Sequence, residues 1–176
     1  MGHFKSLTIA TALAGLLGAT GFAGPAAAQE SDPSLLALGV GWYDFNLGDD
    51  EAADFRIEYR HGQGFFDILK PFAGLEVTSD GSVWAGAGLA LDFKLGNHVA
   101  LTLSSGPGYY SEGDGKDLGS ELEFRSQAEL SYIFDDKARL GVAVSHLSNA
   151  GIGDRNPGTE VLSLYYMVPL HSLTGN

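Results

Sequence analysis

The sequence predicts an all-β protein, an eight-stranded antiparallel transmembrane β-barrel. Three observations predict it. The chain opens with an export segment, the rest alternates apolar and polar residues with a period of two, and the alternating stretches are long enough to cross a bilayer at a tilt. The 176 residues suffice for one domain with a sizeable core.

The export segment comes first. Lys5 precedes a small, apolar run from Leu7 to Ala19, and Ala26-Ala27-Ala28 reads as an A-x-A cleavage site before Gln29. A signal peptide is therefore expected over 1–28 and a barrel domain over 29–176. The run is too short and glycine-rich for a spanning helix, which needs about 20 apolar residues.

Eight strands follow in order. The first, 34–46, ends at the turn-rich "LGDDE". The second, 52–61, alternates most clearly: Ala53, Phe55, Ile57, Tyr59 and His61 share one face, and Asp54, Arg56, Glu58 and Arg60 the other. The third, 69–78, closes on "SDG". The fourth, 82–93, is glycine-rich, with Gly86 and Gly88 on the face of Trp84, where they make room inside a small barrel or mark curvature. "LGN" leads to the fifth, 98–110, and "SEGDGKD" to the sixth, 119–134. In the sixth, Leu122, Phe124, Ala128, Leu130, Tyr132 and Phe134 share a face that Ser126 alone interrupts, opposite Glu123, Arg125 and Glu129. The seventh, 137–148, carries Val142, Val144, His146 and Ser148 on one face. The eighth, 159–168, carries Glu160, Leu162, Leu164, Tyr166 and Val168. Several connections are hairpin-short, which favours antiparallel neighbours.

Alternation alone leaves open which face is the inside. A soluble lipocalin-like barrel turns its apolar faces inward, and a membrane barrel turns them outward. Export, strand length and a polar face of mixed charge favour the second. Arg56 and Arg60 beside Glu58, and Arg125 beside Glu123 and Glu129, fit a paired network in a narrow lumen. Aromatics near the strand ends (Trp42, Tyr43, Phe45, Tyr109, Tyr110 and Tyr132 among them) fit girdles at the membrane interfaces.

Composition excludes several functions. A formal net charge of −12 argues against nucleic acid as a partner. The absence of cysteine rules out disulfides, thiolate catalysis and cysteine metal sites. His61, His98 and His171 lack acidic partners at ligand spacing, and "SEGDGKD" does not match a calcium loop. Neither a metal nor a cofactor is expected.

One stretch carries chemistry: "SHLSNAGIGDRNPGTE", Ser145 to Glu160. In an eight-stranded barrel with both termini in the periplasm, the connection between strands seven and eight is exterior. His146 and Ser148 then share the lipid-facing side of strand seven, and the hairpin can bring Glu160 beside His146. Polar groups there are costly unless bonded or functional. A histidine can take a serine's proton, a glutamate can orient the imidazole, and loop donors can stabilise an oxyanion. A hydrogen-bonded Ser/His pair and an interfacial Glu without catalysis fit the spacing too.

Residues 145–170, "SHLSNAGIGDRNPGTEVLSLYYMVPL", resemble the C-terminal motif of the outer-membrane lipid A 3-O-deacylase (PagL-like) family. The matching positions are His146, Ser148, Asn149, Ala150, Asn156, Pro157, Gly158 and Glu160. The resemblance implies an eight-stranded outer-membrane barrel with Ser148 as nucleophile, His146 as base and Glu160 as orienting acid. It implies Asn149 and Gly151 at the oxyanion, lipid A of lipopolysaccharide in the outer membrane as substrate, and an active site near the outer-leaflet interface. The chain departs from the usual terminal aromatic by continuing past Pro169 with "LHSLTGN". The rival expectations are a non-enzymatic small outer-membrane barrel and a secreted lipocalin-like lipid carrier.

Overall fold

Short connections between alternating strands leave each strand no nearby partner except its neighbours in sequence. The computed structural model, which describes residues 32–46, 50–65 and 68–174, follows that logic to closure. Its strands are β1 (Leu35–Tyr43), β2 (Ala52–Arg60), β3 (Leu69–Thr78), β4 (Val83–Lys94), β5 (Val99–Ser111), β6 (Leu122–Ile133), β7 (Arg139–Ser148) and β8 (Thr159–Pro169). Each pairs antiparallel with the next, and β8 closes on β1 from Leu35↔Pro169 to Tyr43↔Val161. A short helix, α1 (Leu170–Thr174), follows. The signal peptide expected over 1–28 lies outside the described residues.

All eight expected strands are present, and their ends differ where the backbone turns. β1 stops at Tyr43 because Asp44 adopts φ 57. β7 begins at Arg139 because Lys137 adopts φ 68 in the preceding turn. β6 begins at Leu122, after Gly119 at φ 85, because residues 112–121 pack as a loop against residues 149–158.

The polar face points inward. Asp54, Arg56, Glu58, Glu76, Glu123, Arg125 and Glu129 are buried, while Phe55, Ile57, Tyr59, Leu130, Val142 and Leu164 are exposed. A soluble carrier needs the reverse, so the lipocalin-like expectation is corrected here. An apolar exterior of this extent suits hydrocarbon, and closure leaves no strand edge unpaired within it.

Ion pairs fill the lumen. Arg56 bridges Asp54 at 2.6 Å and Glu76 at 3.0 Å, Arg60 bridges Glu129 at 2.8 Å, and Arg125 pairs with Glu58. Trp84 lies under Arg125, with the guanidinium 4.5 Å from its ring, and its indole N–H donates to the Glu123 carbonyl at 3.2 Å. The glycines beside Trp84 are explained by this ring: a Cβ at Gly86 would sit 2.6 Å from Trp84 Cη2, and one at Gly108 2.7 Å from Cζ2. Tyr43, Tyr110 and Tyr165 also belong to the lumen rather than to the girdles, and the Tyr43 and Tyr110 hydroxyls are 3.1 Å apart.

Candidate active site

Strand register assembles the expected residues at one end of the barrel. His146 of β7 stands opposite Glu160 of β8, and on its other side opposite Ser126 of β6. Ser148, two positions along β7, faces the same way and stands opposite Phe124. His146 Nδ1 and Glu160 Oε1 are 3.1 Å apart. With the carboxylate as acceptor, Nδ1 carries the proton, and Nε2 is left as the acceptor of the neutral ring. The other Glu160 oxygen is buried and has no hydrogen-bond partner among the described residues. Among those residues no hydrogen bond joins Ser148 Oγ to His146, although a strand rise of about 3.3 Å per residue keeps i and i+2 side chains within reach.

The loop after Ser148 is built by Asn149, which is wholly buried. Its amide nitrogen donates to the Leu118 carbonyl at 3.0 Å and to the Arg155 carbonyl at 2.6 Å. Its side-chain oxygen accepts from Gly151 N–H at 2.9 Å, and its own N–H donates to Asn156 Oδ1 at 3.1 Å. Ala150 and Gly151 take φ 54 and 79 to make this turn. Both expected oxyanion residues, Asn149 and Gly151, therefore have these donors engaged, within the loop and against Leu118 of the neighbouring loop. Asn156 differs: its oxygen is committed to Asn149, which leaves its exposed NH₂ end without a hydrogen-bond partner among the described residues.

Gly158 completes the wall around the imidazole. Its φ is 64, and a Cβ there would lie 2.8 Å from His146 Cε1. The far side is held from β1. Asp44 accepts from Thr159 Oγ1 at 2.9 Å and from Lys116 Nζ at 2.7 Å, and Phe45 N–H donates to the Glu160 carbonyl at 3.3 Å. Asp44 was missed as a site-building residue because strand pairing brings it in, and Asn156, named as a motif position, was given no role of its own. Ser126 left one signal, as the polar interruption of an apolar face. It extends the polar row to Ser105, whose hydroxyl lies 3.1 Å from its own.

The described residues contain no group of three or more His, Asp or Glu side chains placed to hold a metal ion. The chemistry available is that of a hydroxyl, an imidazole and a carboxylate on an apolar wall.

The model of the family described as lipid A 3-O-deacylase (PagL) matches residues 38–169, three quarters of the chain. The chain belongs to the lipid A 3-O-deacylase family. The lipid A deacylase PagL of Bordetella bronchiseptica is 37% identical over 51 residues, which is 29% of each chain. The PagL of Pseudomonas aeruginosa is 36% identical over 55 residues, 31% of this chain and 32% of that one. The aligned stretches thus span about a third of those relatives. Among solved structures, the outer membrane enzyme PagL superposes with a TM-score of 0.60 at 22% identity, covering 77% of this chain and 99% of that one. Neisserial surface protein A superposes with a TM-score of 0.56 at 13% identity, covering 77% and 95%. Both likenesses concern the barrel fold.

Proposed function

We propose that the protein is a lipid A 3-O-deacylase of the outer membrane, a serine hydrolase that removes the acyl chain ester-linked at the 3 position. The observation that carries this reading is the His146–Glu160 contact at 3.1 Å on the lipid-facing wall, with Ser148 on the same face. Family membership supports the same chemistry.

In this reading Glu160 holds His146 with its proton on Nδ1, so that Nε2 takes the proton of Ser148 as Oγ attacks the ester carbonyl. Glu160 also stabilises the imidazolium formed in that step. The loop supplies the oxyanion donor, with the Asn156 amide free for the role while Asn149 and Gly151 keep the turn in shape. Collapse of the tetrahedral intermediate breaks the bond to the sugar oxygen, which takes the proton from His146. The acyl group stays on Ser148 until a water, deprotonated by His146, attacks it; the fatty acid leaves as the acyl–Oγ bond breaks, and His146 returns the proton to Ser148 Oγ. The site lies where an acyl chain can remain in the membrane while its ester reaches the serine. Expected partners are lipid A and the surrounding outer-membrane lipids.

The test is purified protein in detergent with lipid A. The expected products are one free fatty acid from the 3 position and a lipid A carrying one chain fewer, with turnover insensitive to chelators. Loss of an acyloxyacyl secondary chain with the 3-position ester intact would refute the regiochemistry.

A further inference from the structure

The outer end of the barrel is acidic. Its described loops expose Glu51, Glu112, Asp114, Glu121 and Asp154, a field that repels an anionic lipid headgroup. They carry two cations. Lys116 is largely buried and committed to Asp44. Arg155 is the other, and its side chain is 67% exposed. This single exposed cation sits in the loop that follows Ser148.

Its backbone and its head are treated differently. The Arg155 carbonyl accepts from Asn149 at 2.6 Å, and Gly119 packs so closely on the Arg155 backbone that a Cβ there would lie 3.1 Å from the Arg155 carbonyl carbon. Asn149 adjoins Ser148 in sequence, so the root of Arg155 is tied to the nucleophile's own turn. The guanidinium, by contrast, reaches into solvent and, among the described residues, pairs with Asp117 alone. The Gly119 N–H and Arg155 hold the Asp117 carboxyl below the usual carboxylate range. An exposed pair of this kind is weak and exchanges readily for a better anion. A phosphate is that anion, with more charge and geometry that matches the planar fork.

We propose that Arg155 is the phosphate anchor of the substrate: on binding, its guanidinium leaves Asp117 for a phosphate of the lipid A sugar headgroup and so sets which ester lies over Ser148. This rests on the deacylase reading and adds a specificity residue to it. Asp117 acts as the internal counter-ion that keeps the guanidinium in place until the phosphate displaces it.

The test compares full-length wild type, Arg155→Ala, Arg155→Lys and Asp117→Asn in detergent, each checked for folding by its mobility on unheated gels. The substrates are bisphosphorylated lipid A and the same lipid after chemical dephosphorylation. Arg155→Ala should raise KM for the phosphorylated lipid by roughly tenfold, the scale of one charged hydrogen-bonded contact, while kcat stays near wild type. It should leave KM for the dephosphorylated lipid unchanged. Arg155→Lys should fall between, because an ammonium keeps the charge without the fork. Asp117→Asn should move the other way and lower KM for the phosphorylated lipid only. Lys137→Asn, an exposed cation at the opposite rim, is the control.

Binding gives a readout without turnover. Ser148→Ala should retain phosphorylated lipid A in mixed micelles more strongly than Ser148→Ala/Arg155→Ala does. Phosphatidylglycerol should show no such difference. An Arg155→Ala effect equal on both lipids, no effect on either, an unchanged Asp117→Asn, or an equal loss of phosphatidylglycerol binding would each overturn the anchor. Absence of deacylation by wild type, with the Arg155-dependent binding intact, would instead strike at the deacylase reading alone.

Discussion

Gly158 leaves the space that His146 occupies, and that fit ties a turn residue to the imidazole. An alanine at 158 would force a side chain into φ 64 and bring its Cβ to 2.8 Å from His146 Cε1. Gly158→Ala is expected to lower kcat by roughly 10²-fold through displacement of the base, with the barrel still folded on unheated gels. Ser148→Ala removes the proposed nucleophile and should abolish turnover. His146→Asn removes proton transfer, which typically contributes roughly 10²–10⁴-fold. Glu160→Ala keeps both reacting groups and should retain residual activity, and Glu160→Gln separates charge from shape. Ser145→Ala, whose side chain is buried in the lumen beside Arg56, should keep most activity. A dead Ser145→Ala beside an active Ser148→Ala would reverse both the face assignment and the nucleophile. At this scale the sequence was legible where a motif holds its members within a few positions, as with His146, Ser148 and Glu160. It was silent on Asn156 as the proposed donor, because that distinction depends on which amides the described loop residues have already used.

The elements that carry the site are held by contacts distant in sequence. Asp44, at the end of β1, collects the Thr159 hydroxyl and the Lys116 ammonium, while the adjacent Phe45 N–H holds the Glu160 carbonyl. Asp44→Ala is expected to lower kcat by roughly tenfold, through loss of buried hydrogen bonds that fix β8. Asp44→Asn should recover part of this, because its oxygen still accepts from Thr159. An unchanged kcat in Asp44→Ala would remove it from the catalytic account. At the opposite rim Asp32 joins Lys70 at 2.6 Å and pairs with Lys94. Burial pushes its carboxyl up, but the two ammonium groups outweigh that and hold it below its ordinary value of 3.8. A depressed folded-state value means that the clasp stabilises above about that pH and is lost as pH falls through the depressed value. Asp32→Asn should therefore flatten the acid limb of stability against pH, and an acid limb identical to wild type would contradict the clasp. The strands themselves were legible from alternation. Their ends were not, since Asp44 and Lys137 turn the chain at positive φ without a glycine to announce it.

At the scale of the whole molecule, the barrel inverts the usual distribution of polarity. Sequence alternation could show two faces but could not say which is inside, because period two is the same in either case. Burial decides it: the ion pairs lie in the lumen and the apolar face is exposed. Glu58 illustrates what that costs to disturb: it pairs with Arg125 and with Arg60, the latter at 3.0 Å. Glu58→Ala leaves Arg125, among the described residues, with only the more distant Glu76 carboxylate, at 3.6 Å, and should destabilise the barrel by about 3 kcal/mol, read as a lower urea midpoint for loss of the fast-migrating band. The apolar exterior predicts that the protein fractionates with outer membranes and needs detergent for extraction. Recovery of a folded, monodisperse protein from the aqueous periplasm would contradict it. In the proposed reading that exterior accounts for a Ser-His-Glu site on the wall of a barrel rather than in a cleft: an acyl chain of the proposed substrate would already be in the phase that the wall faces.

The most direct test of the central claim is mass spectrometry of lipid A from cells expressing wild type or Ser148→Ala at equal levels in the outer membrane. The account predicts that wild type yields lipid A lacking the acyl chain ester-linked at the 3 position, and that Ser148→Ala yields the intact molecule. Identical lipid A from both, or loss of the same chain in both, would contradict it.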